Sequence, residues 1–350
     1  MAMIGRVPPM RYLFQSTVLA TALVMPALAA DKPAGSADIL PPGAELEELW
    51  NDGEFTEGVS VAPDGRIYFS DISRSPDKPG QILRFDPKTK KTTVFSDKSF
   101  KSNGLMFDRN GKLIACCGSN GGNMSLCEVS AKGVVKPLIS KFKGKRFLSP
   151  NDLVITPSGL IYFTDPRYIG NEPEEQKDMC VYTYDRKTRK VKRVLGPKQI
   201  EKPNGVHISP DGKTLYVAET NNGSRHGPNP PYEPKLGKMT LNAFTIKANG
   251  KVDPKSKRVI ANFGKETGTD GMTIDVKGNI YAAVRMASKH GIIVYSPQGK
   301  ELAYIPTETL PTNCSFGNGK ESAMLYITAG TGLYRIQLKI DGYHPAVAAN

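Results

Sequence analysis

The chain has 350 residues, 39% hydrophobic and 23% charged, a globular balance that excludes disorder as the main state. Its 34 Gly and 27 Pro cut it into pieces too short for a helical bundle or coiled coil and point to many short strands. The net charge of +13 is spread over separated basic pieces such as 141–146 and 186–193 rather than one stripe interleaved with aromatics, so no nucleic-acid partner is expected.

From the N-terminus, Arg6 and Arg11 precede an apolar stretch, 12–28, that ends in Ala27-Leu28-Ala29, a small-x-small cleavage pattern. Residues 1–29 are read as an export signal peptide and 30–44 as a flexible mature N-terminus. The folded domain is assigned to 45–340 and a C-terminal tail to 341–350. No second apolar segment has spanning length. The expected product is periplasmic or secreted, not stably inserted in a membrane, and a monomer or weak oligomer.

The rest of the chain is organised by a repeat. Each copy is a strand, a tight turn and a second strand rich in Ile, Tyr and Val. The turns are Pro63-Asp64-Gly65, Arg109-Asn110-Gly111, Pro157-Ser158-Gly159, Pro210-Asp211-Gly212, Val276-Lys277-Gly278 and a degraded Gly317-Asn318-Gly319. Between copies lies a second hairpin, in which Phe85-Asp86-Pro87-Lys88-Thr89 is echoed by Tyr184-Asp185-Arg186-Lys187-Thr188. Two hairpins per period of roughly fifty residues predict an all-β, six-bladed propeller with four antiparallel strands per blade and a central channel. Closure is predicted from pairing of 45–50 with 332–339. Among the five cysteines, a disulfide from Cys116 or Cys117 to Cys127 is considered, and no paired spacing suggests zinc.

The first strand of each repeat should be innermost, so the residues just before the copies converge on one end of the channel. They are Glu57, Asn103, Asn151, Asn204, Asp270 and Asn313, each a carboxylate or carboxamide. Any one alone reads as a turn former. Together around one axis they need a shared partner. Oxygen donors without His or Cys indicate a hard cation, and their number suits Ca2+ better than Mg2+.

Glu57-Gly58, Ser149-Pro150-Asn151-Asp152, Pro203-Asn204-Gly205, Thr269-Asp270-Gly271 and Leu325 through Gly330 resemble, in order and at blade spacing, the gluconolactonase/senescence-marker-protein/luciferin-regenerating-enzyme family. The likeness runs from about residue 45 to 340. It implies a divalent metal, usually Ca2+, at the channel mouth and hydrolysis of a small-molecule lactone. It implies Glu57, Asn204 and Asp270 as metal ligands and Asn151 as a fourth ligand or substrate-contacting amide. Ser149 stands where animal sugar lactonases carry Arg, so the bacterial gluconolactonase branch is the nearer likeness.

A metal-polarised carbonyl attacked by water, with Asp270 as base, is the mechanism expected; attack by Asp270 itself is the alternative. Asn103 and Arg167 are further substrate-contact candidates, although the loop after Asp165 is expected at the end of the channel opposite the metal. The insertion 220–238, with His226, is read as a candidate pocket cover. Hydrolysis of phosphotriesters, or a noncatalytic Ca2+-stabilised propeller that binds an exported partner, remain the competing functions.

Overall fold

The computed structural model describes residues 32–225 and 235–346. The export signal and His226 therefore lie outside the described residues. Six antiparallel sheets are arranged as propeller blades, with one small extra hairpin, Lys141–Phe142 with Lys145–Arg146. Among the described residues no helix is long and apolar enough to cross a membrane.

Blades 1 to 5 are each built from consecutive strands. Their inner strands are Thr56–Val61, Ser102–Phe107, Leu153–Ile155, Pro203–Ile208 and Thr269–Ile274. Blade 6 takes its inner three strands, Pro311–Phe316, Met324–Ala329 and Gly332–Gln337, from the chain end and its outer strand, Glu47–Trp50, from the beginning. Pairing of Glu47 with Arg335 and Trp50 with Leu333 closes the ring as the sequence predicts. Closure leaves only short outer edges, studded with lysines such as Lys190 and Lys192, which discourage edge-to-edge association.

Six buried apolar clusters fill the spaces between neighbouring blades. Each blade is therefore packed on both faces, which is why its second strand reads as a continuous apolar run rather than an alternating one. Leu113–Cys117 and Ile280–Arg285 show this pattern, whereas the outer strands Lys91–Ser96 and Lys190–Leu195 show polar residues facing water.

Both ends of the domain extend further than predicted. Residues 30–44 were expected to be a flexible lead-in, yet Ala34–Gly35 adds a fifth strand to blade 5, and Ile39 and Leu40 are buried between blades 5 and 6. Two large aliphatic side chains supply the apolar area that holds this segment in place. In the tail, Tyr343 N–H donates to Ile274 O, His344 Nε2 lies 2.8 Å from Gly317 O, and Ala346 is buried. The segment 341–346 thus packs across the channel end where the inner strands finish.

All five cysteines are free and buried. Cys127 pairs in register with Ala115, so Cys116 faces the opposite side of blade 2 and cannot reach it. Cys117 shares the Cys127 face, yet its thiol donates to Ser99 O and no disulfide joins the two.

Candidate functional site

Inner strands run away from the end where Glu57, Asn103, Asn151, Asn204, Asp270 and Asn313 lie, and each touches the next around the ring. Five of the six carry a one-residue bulge at that end: Glu57–Ser60, Ser102–Leu105, Pro203–Val206, Thr269–Met272 and Pro311–Asn313. An added residue leaves ladder register and re-aims its side chain. The bulge takes Asn103, Asn204 and Asp270 out of the ladder, whereas Glu57 and Asn313 stay paired with Ser70 and Thr328 beside it.

Close approach of neighbouring inner strands depends on the residue immediately after each of these side chains. Gly58 has φ +51°, and a Cβ there would lie 1.8 Å from the Asn103 carbonyl oxygen. A Cβ on Gly205 would lie 2.4 Å from the Asp270 carbonyl. Blade 3 has Asp152 at the equivalent place. Its Oδ1 accepts from Leu153 N–H (2.9 Å) and its Oδ2 from Val206 N–H (3.1 Å), so it staples blade 3 to blade 4. Burial outweighs these bonds and pushes the Asp152 carboxyl up to about 7.

The second strands return to the same end, and their terminal carboxylates fix the entry to the inner strands. Asp71 accepts from Glu54 and Phe55 N–H, Asp165 from Leu148 and Ser149 N–H, and Glu219 from Glu201 N–H. These anchors sit two or three residues before Glu57, Asn151 and Asn204. The loop after Asp165 is therefore at the site end, not the opposite end as expected from the sequence. An antiparallel hairpin brings the chain back to where it began.

That loop also corrects the role expected for Arg167. Its side chain is fully buried, donating to Leu148 O (3.0 Å), Glu172 O (2.9 Å) and Glu172 Oε2 (2.8 Å). The guanidinium ties the loop to the entry segment through Nη1 and Nη2, and its Nε is buried without a partner among the described residues. The neighbouring Tyr168 reaches the site instead: its hydroxyl lies 3.1 Å from Asn204 Nδ2 and 3.0 Å from Thr220 O. The Lys202 ammonium sits 4.1 Å from its ring centroid.

Glu57, Asn151, Asn204 and Asp270 are all buried, whereas Asn103 is half-buried. Glu57 Oε2 accepts from Gly58 N–H at 3.0 Å. Burial raises the Glu57 carboxyl well above its ordinary range, and the Asp270 charge adds to the effect. Asp270 is also raised by burial, against the pull of Arg285, whose Nη1 is 3.0 Å from Asp270 Oδ2. Arg285, the last residue of the second strand of blade 5, is a site residue that reasoning from the sequence missed; its signal was the cation closing a run of apolar residues.

Two buried carboxyls beside one guanidinium resist ionising together. Such a site is costly by itself and favourable to a divalent cation. Among the described residues no three His, Cys, Asp or Glu side chains form a metal cluster, so any cage here must use carboxamides. The donor chemistry of Glu57 and Asp270 with Asn151 and Asn204 fits a hard ion and not zinc.

A family model described as the SMP-30/Gluconolactonase/LRE-like region matches residues 55–227 and 236–331. A gluconolactonase of Zymomonas mobilis is 28% identical over 324 residues, 89% of this chain and 69% of the relative. The lactonohydrolase oryL of Aspergillus oryzae is 24% identical over 87% of this chain and 72% of its own length. Among solved structures, a Xanthomonas campestris gluconolactonase superposes with a TM-score of 0.73 at 24% identity, covering 90% of this chain and 99% of that one. A luciferin-regenerating enzyme gives 0.65 at 18% identity over 88% and 100% of the two chains. These superpositions speak for the fold.

Proposed function

Since the chain belongs to the SMP-30/gluconolactonase/LRE-like family, we propose that it is a divalent-metal-dependent hydrolase that opens lactones. The observation that carries this reading is that buried Glu57, Asn151, Asn204 and Asp270 stand at the entries of inner strands that touch around one ring, joined to relatives named as a gluconolactonase and a lactonohydrolase. Glu57, Asn151, Asn204 and Asp270 would hold Ca2+. When bound, that ion supplies a Lewis acid for the lactone carbonyl and its developing oxyanion.

The protein's own contributions come from its geometry. Arg285 engages Asp270 Oδ2, which holds the carboxylate in place. Asp270 accepts the proton of the attacking water as general base. Glu57 is held by Gly58 N–H and balances charge. Asn103, half-buried, would touch the substrate's polar groups. Export by the 1–29 signal belongs to the same proposal and would place the enzyme in the periplasm or outside the cell.

The test is proton release from a panel of aldonolactones and aliphatic lactones, with Ca2+, with chelator, and with Asp270→Asn. Metal-dependent hydrolysis that falls by roughly 100-fold or more in the variant supports the reading. Equal rates with and without chelator would remove the metal from it, and no turnover across the panel would remove the lactone.

A further inference from the structure

The side chain of Asn204 can hold a cation only through its carbonyl oxygen, yet the two ends of a carboxamide have nearly the same shape. Something must decide which end faces the channel. The surroundings of Asn204 settle this through a chain of donors and acceptors that begins at a backbone carbonyl.

Thr220 O can only accept. The Tyr168 hydroxyl, 3.0 Å away, must therefore spend its single proton on it. Toward Asn204, at 3.1 Å, the Tyr168 oxygen then has only lone pairs to offer, so the amide must present its NH2 there. The same side chain lies close enough to Asp270 to favour its ionised form, and a carboxylate is again an acceptor only. With the NH2 end turned to Tyr168, Oδ1 is the end left for a cation. Flipping the amide would set its oxygen against the Tyr168 lone pairs.

We infer that Tyr168 is a positioning residue whose hydroxyl, polarised by Thr220 O, selects the Asn204 rotamer that presents oxygen to the cation. This inference rests on the metal site proposed above. Tyr168 is itself fixed from two sides. The Lys202 ammonium lies over its ring, and the buried Arg167 beside it anchors the loop through Leu148 and Glu172. The loop's contribution to the site is thus indirect, through the orientation of a ligand on the neighbouring blade.

The experiment is calorimetric titration of Ca2+ into chelator-treated full-length mature protein, comparing wild type, Tyr168→Phe, Asn204→Asp and the double variant, with circular dichroism and thermal melts of each apo form. Phe keeps the ring under Lys202 and removes only the hydroxyl. The expected result is about a tenfold weaker Ca2+ affinity for Tyr168→Phe, within the range for loss of a partner that orients a metal ligand, with an unchanged spectrum. Asp presents oxygen in either orientation, so on the Asn204→Asp background the same change should cost less than about twofold, as expected when the coupling is removed. Wild-type-like affinity in Tyr168→Phe overturns the inference, as does an equal loss on both backgrounds, which would mark a general structural role. Absence of Ca2+ binding by the wild type overturns the metal site itself, and the inference with it.

Discussion

The tightest point in the ring gives the sharpest test of the architecture. Gly58→Ala places a Cβ 1.8 Å from the Asn103 carbonyl oxygen, on a residue with φ +51°. Relief of that overlap requires the two inner strands to part by about 1.2 Å, since carbon and oxygen do not approach closer than roughly 3 Å. The left-handed backbone itself costs an alanine about 1–2 kcal/mol, and forced separation in a packed interior about 1–3 kcal/mol more. Gly212→Ala is the internal control. Its φ is +67°, yet nothing lies within 4 Å of the added atom, so only the first cost applies. Urea unfolding of the two variants should therefore differ by about 1–3 kcal/mol in unfolding free energy, with Gly58→Ala the weaker. Because the displaced strands carry Glu57 and Asn103, Gly58→Ala should also lose lactone hydrolysis while Gly212→Ala keeps it. Equal destabilisation by the two substitutions would refute the claim that glycine is needed here for close approach.

Arg167→Met should destabilise the fold by about 3 kcal/mol, because it strands the partly buried Glu172 carboxylate and Leu148 O. An increase in KM without loss of stability would instead restore Arg167 as a substrate contact. Burial holds His207 down at about 4 against an ordinary 6.5, so as pH falls from about 6.5 to 4 the unfolded chain takes a proton that the folded chain refuses. This group alone removes roughly 3 kcal/mol across that window. The buried carboxyls of Asp152 and Asp165, both raised to about 7, act in the opposite sense, losing stability as pH rises toward 7. The difference between wild type and His207→Gln isolates the histidine: the wild type should lose more stability on acidification, and parallel pH profiles would contradict the burial argument. Expression with the leader in a Gram-negative host should yield a product beginning at Ala30, readable by intact mass; an intact Met1 in a membrane fraction would count against export.

Much of the fold was legible because the repeat is periodic in local chemistry. Each turn requires a Gly at positive φ, as at Gly65, Gly111 and Gly212, and each blade buries both faces of its second strand. Those demands recur with every blade and leave a mark in the sequence. The ends of the domain left no such mark. Ile39, Leu40, His344 and Ala346 are single apolar or neutral residues in short segments, and only the spaces between blades reveal what they fill.

For the site, the sequence alone placed Glu57, Asn103, Asn151, Asn204, Asp270 and Asn313 at one level, because each precedes its repeat by the same interval. It could not show the bulges beside five of them, nor that a returning hairpin brings the loop after Asp165 to the same mouth. Tyr168 and Asp152 act across a blade boundary, on Asn204 and Val206, and Arg285 reaches Asp270 from the far end of its hairpin. Such contacts join residues 15 to 54 positions apart, and their partners are set by how strands and blades pack. Periodicity thus determined which oxygen-bearing residues open the inner strands; the packing of one blade on the next decided which partners their side chains find.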